Sequence, residues 1–126
     1  MKAPRRLPVV VTRRFERALE TILDHYESLR HLHPDAGSRA LRLIELVESD
    51  LPRTLAAHPD IGRPAQLSVS MSEAERNWLL RLAPLTARRR LQAREWLLGD
   101  FWILYYRTTS AVYLASVRHV REAEYH

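Results

Sequence analysis

The stretch DFWILYYRTTSAVYLASVRHVR, residues 100–121, sets two apolar runs around a short polar break. Phe101–Arg107 is almost uninterrupted in its apolar character up to Tyr106, the pattern of a central strand covered on both faces. In the second run, Val112–His119, period-two spacing puts Val112, Leu114 and Ser116 on one side and Tyr113, Ala115 and Val117 on the other. Gly99–Asp100 is a turn dipeptide, and LQAREWLL upstream of it supplies a third strand. Together they predict a three-stranded antiparallel meander. Its last strand ends in Arg118, His119 and Arg121, which crowd three basic side chains into four residues.

The chain before the meander reads differently. LPVVV, residues 7–11, is a short strand by composition, and Thr12 suits a helix N-cap. Phe15, Ala18, Leu19, Ile22, Leu23, Tyr26 and Leu29 then recur at helical spacing, with Arg13, Arg17, Glu20, Asp24 and Glu27 on the opposite face. HLHPDAG, residues 31–37, breaks that helix. Asp35 or Ser38 is positioned to cap a second one, with Ala40, Leu41, Ile44, Val47, Leu51 and Leu55 as its stripe. Pro52 is expected to kink this helix or to end it near Asp50. HPDIGRP, residues 58–64, is a turn-rich connector. LSVSM, residues 67–71, alternates like a short edge strand, and Ser72 with Glu75 has capping-box spacing for a short helix that Pro84 stops. From Arg76 to Arg94 there are six arginines and no acid, densest at Arg88, Arg89 and Arg90.

Strand, two helices, then strands, without βαβ alternation, predicts an α+β fold: an N-terminal strand and an antiparallel helical hairpin packed on a twisted antiparallel sheet. At 126 residues the chain is one domain and can bury a core without staples. It has no cysteine, so neither a disulfide framework nor a thiolate metal site is available. The apolar run near the N-terminus is too short for a signal-peptide core or a membrane span, and a soluble cytoplasmic protein is expected.

The formal charge is +5, and Lys2 is its only lysine. Such a bias accompanies GC-rich genomes, yet arginine's planar fork also binds phosphate and carboxylate bidentately. A basic surface calls for an acidic partner, either nucleic acid or protein. With three glycines the chain carries no Walker loop, dinucleotide fingerprint or nucleophile elbow, and no cofactor is expected. His31 and His33 have a metal-compatible spacing, but no carboxylate pattern completes a site, so no metal is expected either.

In its ordered features the sequence resembles the RelE/ParE toxins of bacterial type II toxin–antitoxin modules. They are VVVTRRFERALETILDHY, RALRLIELVESDL, HPDIGRP, REWLLGDFWILYYR and VYLASVRHVRE. The succession Pro59-x-x-Gly62-Arg63, Arg94–Glu95, Tyr105–Tyr106–Arg107 and His119-x-Arg121 carries the likeness, which covers nearly the whole chain. One segment, residues 65–92, departs from it as an insertion with its own capped helix and the arginine cluster. The resemblance implies a growth-inhibiting toxin of the plasmid-stabilisation type, neutralised in a hetero-oligomeric complex by an acidic antitoxin encoded beside it. It implies one of two targets. RelE-like members cut mRNA in the ribosomal A site, and ParE-like members poison DNA gyrase; the long helical hairpin and the scattered arginines lean toward the second. No membrane partner is implied.

If RelE-like, His119 would move protons near neutral pH while Arg107 and Arg94 steady the developing charge on phosphorus. Arg63, Tyr105, Arg118, Arg121 and Arg88, Arg89 and Arg90 are the candidates for contact with a target or antitoxin. Each has a plainer structural alternative. Strand-end charges also keep sheet edges from aggregating. Arg63 suits bonding to connector carbonyls, and Tyr105 and Tyr106 suit a core. Two other classes of function stay open at this level. One is a toxin-derived binding module without activity; the other is a free-standing RNA-binding protein.

Overall fold

The computed structural model describes residues 6–65 and 91–121. These form β1 (Val9–Val11), α1 (Arg13–Ser28), α2 (Ala36–Glu45), a π-helical turn (Leu46–Asp50) and α3 (Leu51–Ala57). β2 (Arg63–Pro64), β3 (Gln92–Leu98), β4 (Phe101–Arg107) and β5 (Val112–His119) follow. The protein is α+β, with a five-stranded sheet in the order β1-β5-β4-β3-β2. The expected strand at residues 67–71, the helix capped by Ser72 and the Arg88–Arg90 cluster lie outside the described residues.

The meander forms as its sequence predicts. β3 pairs with β4 in unbroken register from Gln92–Arg107 to Leu98–Phe101, and Gly99 turns the hairpin at φ +59°. An L residue with a side chain pays a steric cost there that glycine does not. The sheet as a whole is mixed rather than antiparallel, because β1 runs parallel to β5. The reason is topological. An even number of helical passes separates β1 from β2, so those two strands oppose each other, and the alternation β2-β3-β4-β5 returns the chain to the direction of β1. The pair β2–β3, from Arg63–Glu95 to Pro64–Arg94, finishes the other edge with a proline that offers no N–H to a further strand.

Thr12 joins sheet to helix. Its hydroxyl accepts from the Phe15 N–H and donates to the Leu114 carbonyl, so one side chain caps α1 and fastens it to β5. The stripe of α1 is buried as predicted at Phe15, Ala18, Ile22 and Tyr26, against β5 and α2. The second helical stretch differs from expectation. Pro52 does not end it near Asp50: the helix widens into a π turn, a usual place for a kink, and Pro52 falls in the first turn of α3. The buried face runs through Ala36, Leu43 and Leu46, and the extra residue of the π turn keeps Leu51 and Leu55 on it, while Leu41 is exposed and Ile44 half-buried.

β5 carries a second departure. Leu104 pairs with Ser116 and Tyr105 with Leu114, so Ala115 is an extra residue and a β-bulge. Beyond it the faces exchange. Val117 joins Val112, Leu114, Phe101, Ile103 and Tyr105 in the core beneath the helices, while Ala115 packs with Leu104 and Tyr106 on the other face. β4 is thus covered on both sides, as its apolar run predicts.

Replacing Thr12 with alanine removes the cap and the tie to Leu114 together. The loss should exceed a simple capping deletion, about 2 kcal/mol or more against the usual ~1, measured by urea unfolding. Thr12→Ser should recover most of it.

Candidate functional site

The basic residues singled out in the sequence fall into three separate places. The first is the junction between the connector and the sheet. Tyr105, wholly buried, donates its hydroxyl to the Pro59 carbonyl at 2.8 Å and accepts the Gly62 N–H at 3.0 Å. Arg94 donates Nε to the Gly62 carbonyl at 2.9 Å and Nη2 to the Asp60 carbonyl at 3.2 Å. Arg107 sends Nη1 to both carboxylate oxygens of Asp60, at 3.1 and 3.0 Å. Gly62 permits this closeness: a Cβ there would stand 2.5 Å from the Glu95 carbonyl oxygen and 3.0 Å from the Tyr105 hydroxyl. Burial pushes the Tyr105 phenol above its ordinary pKa, against the lowering influence of the Gly62 N–H and the Arg94 guanidinium. It therefore stays a protonated donor through the physiological range.

The second place is the sheet face away from the helices. Arg63 does not bond connector carbonyls; Arg94 does that. The Arg63 guanidinium lies 4.5 Å from the centre of the Trp102 ring, and Arg63 Nε is 3.9 Å from the carboxylate of buried Glu95. Arg118 lies over the same indole at 5.9 Å and is itself buried. A tryptophan with cations on it is a stabilising arrangement, and neither Tyr105 nor Arg118 has surface to offer a partner.

The third is the far end of β5. His119 pairs with Phe101, and Arg107 pairs with Val112. The six-residue run of β4 between Phe101 and Arg107 separates them by roughly 20 Å at the usual rise per strand residue. His119 meets Phe101 edge-on at 5.4 Å, and its Nδ1 accepts the Arg121 N–H at 3.1 Å. The neutral ring accordingly carries its proton on Nε2. The structure thus brings Arg94 and Arg107 together and sets His119 apart from both. Arg88, Arg89 and Arg90 lie outside the described residues.

Around His119 lies a groove of about 450 Å³, lined by Thr21, Ile22, His25, Tyr26 and Leu29 of the first helix and its cap, Arg39 of α2, and Arg121. Of these only His119 and Arg121 were candidates from sequence. Tyr26 and Leu29 read there as core stripe. Among the described residues no three His, Asp or Glu side chains gather as a metal site would need. No described helix is long and apolar enough to cross a membrane.

The chain matches no protein-family model and has no significant match among curated proteins.

Tyr105→Phe should leave the Gly62 N–H and the Pro59 carbonyl without their partner and cost about 1–3 kcal/mol in a denaturant titration. The wild type has a further signature. A phenol held above its unfolded pKa contributes fully below about pH 10. That contribution disappears as pH climbs through the tyrosine range and beyond, so the variant's stability should decline less steeply over this alkaline interval.

Proposed function

We propose that the chain is a growth-inhibiting toxin of the RelE/ParE superfamily, neutralised by an acidic antitoxin and directed at DNA gyrase rather than at mRNA. The observation that carries the reading is that five of the resemblance-bearing residues converge. Pro59, Gly62, Arg94, Tyr105 and Arg107 are scattered over nearly fifty positions of sequence, yet they form one hydrogen-bonded junction. The succession of strand, helical hairpin and meander is in keeping with a RelE/ParE-like arrangement of the α+β fold.

The choice between targets rests on what a nuclease requires. Cleaving RNA at its 2′-hydroxyl needs a base, an acid and cations around a single phosphate. His119 is a strand's length from Arg94 and Arg107, and those arginines already serve the Asp60 carboxylate and connector carbonyls. That distribution supports a toxin that acts by binding.

Induced alone in a bacterial host, the protein should arrest growth, with filamentation and trapped gyrase cleavage complexes while transcripts remain intact. Co-expression of its acidic antitoxin should restore growth. Normal growth with soluble, folded protein present would overturn the toxin reading. Breaks in mRNA at fixed codon positions, abolished by His119→Ala, would overturn the choice of gyrase and favour the RelE-like mechanism.

A further inference from the structure

We infer that the outer edge of β1 is a self-pairing surface, on which β1 of a second copy of this chain lies antiparallel about a two-fold axis through Val10. The inference goes beyond the toxin reading and does not depend on it. It starts from the direction of backbone groups. β1 is the end strand of the sheet. Across to β5, Val112 donates its N–H to the Pro8 carbonyl at 2.9 Å, and Thr12 donates to the Leu114 carbonyl at 3.3 Å. Bonding residues alternate along a parallel strand, so Pro8, Val10 and Thr12 face β5 while the N–H and C=O groups of Val9 and Val11 point outward. Among the described residues no backbone bond from outside the sheet reaches them. The side chains are uncovered too. Val10 is 41% exposed and its register partner Tyr113 36%, while Val11, on the opposite face, is 47% exposed. The other edge of the sheet ends in Pro64, but this one presents valines without charge or proline among them.

What fits the edge is set by its length. At one end Leu7 donates its N–H to the Ala56 carbonyl at 3.0 Å, and at the other the chain turns into α1 at Arg13. Only Val9 and Val11 are left to bond outward, and they stand symmetrically about Val10. A two-fold axis there sets each Val9 opposite Val11 of the other copy, and each such pair exchanges both of its N–H···O=C bonds. Both copies run out of free groups at the same residues, whereas a longer foreign strand would gain nothing on this edge from its remaining peptide groups. The two Val10 side chains meet as the close, non-hydrogen-bonded pair, with a Tyr113 ring beside each on the same face. So short a contact falls well below the roughly 1,200 Å² of a stable interface, and the dimer is a weak one that forms on concentration. Arg6 and Arg13 flank β1, so like charges of the two copies approach at both ends of the ladder, a repulsion that salt screens.

The chain has no cysteine, which makes Val10→Cys a clean probe. Non-hydrogen-bonded partners on antiparallel strands lie about 4.5 Å apart at Cα, inside the roughly 4.4–6.8 Å window of disulfides. In the full-length protein at about 0.5 mM, V10C should therefore oxidise to a covalent dimer about tenfold faster than L41C, an exposed site on α2. Wild-type protein supplies a second measurement that needs no variant. Between about 20 µM and about 1 mM, exchange of the Val9 and Val11 amides should slow about fivefold while that of Val10 stays the same. Sedimentation should show the dimer increasing with protein concentration and with added sodium chloride. Equal oxidation of the two cysteine variants, a chain still monomeric at the highest concentration, or a dimer that weakens with salt would overturn the inference. Val9 and Val11 amides protected alike at every concentration would overturn it too, by placing another segment of the same chain on the edge.

Discussion

A single extra residue in β5 governs the layout of the functional surfaces. Strand side chains alternate, so an uninterrupted β5 would send His119 to the face of Tyr113 and Arg118 to the face of Val112. The bulge at Ala115 reverses both assignments. Val117 is returned to the helix-side core, Arg118 is sent to Trp102, and His119 is brought over Phe101 at the mouth of the groove beside α1. Ala115 can be the inserted residue because it is small; it is fully buried against Leu104 and Tyr106, where a larger side chain would collide. The groove's composition therefore follows from sheet register.

The arginines divide by the same kind of geometric test. A composition dominated by arginine invites the assumption that each is available to an anion. Yet Arg94 and Arg107 are committed to the connector, and Arg63 and Arg118 lie over one indole. The commitment has a structural purpose. The connector must lie against β3 so closely that a glycine is needed at position 62, and it has few apolar side chains of its own to hold it there. Hydrogen bonds from Tyr105 and the two guanidinium groups do that work. In a partly buried setting they are worth more than the exposed helix pairs such as Arg30–Glu27 or Arg42–Glu45.

Much of the fold was legible in the sequence because it rests on local signals. The α1 stripe, the Thr12 cap, the Gly99–Asp100 turn and the bounds of β4 and β5 follow from periodicity and turn chemistry. What escaped depends on contacts remote in the chain. The parallel pairing of β1 requires the direction of every intervening element, including β2, only two residues long. The π turn lets a helix pass Pro52 by widening, and no residue type announces that choice. The bulge is equally silent, since VYLASV alternates acceptably in either register. The placing of the candidate site depends on remote contacts too: the RelE-like carry-over asks His119 and Arg107 to act together, and they stand at opposite ends of antiparallel neighbours.

That last point bears on how a small basic protein of this shape can act. The long dimension of the sheet keeps the Arg94–Arg107 junction and the His119 groove apart, so the two cannot work on one phosphate. They can serve different purposes. The junction fixes the connector and with it one edge of the sheet, while the groove keeps cations whose charges are only lightly held from within. Arg39, for one, meets the exposed carboxylate of Asp35 only at 3.9 Å. A surface charge held so weakly can vary without endangering the core beneath it.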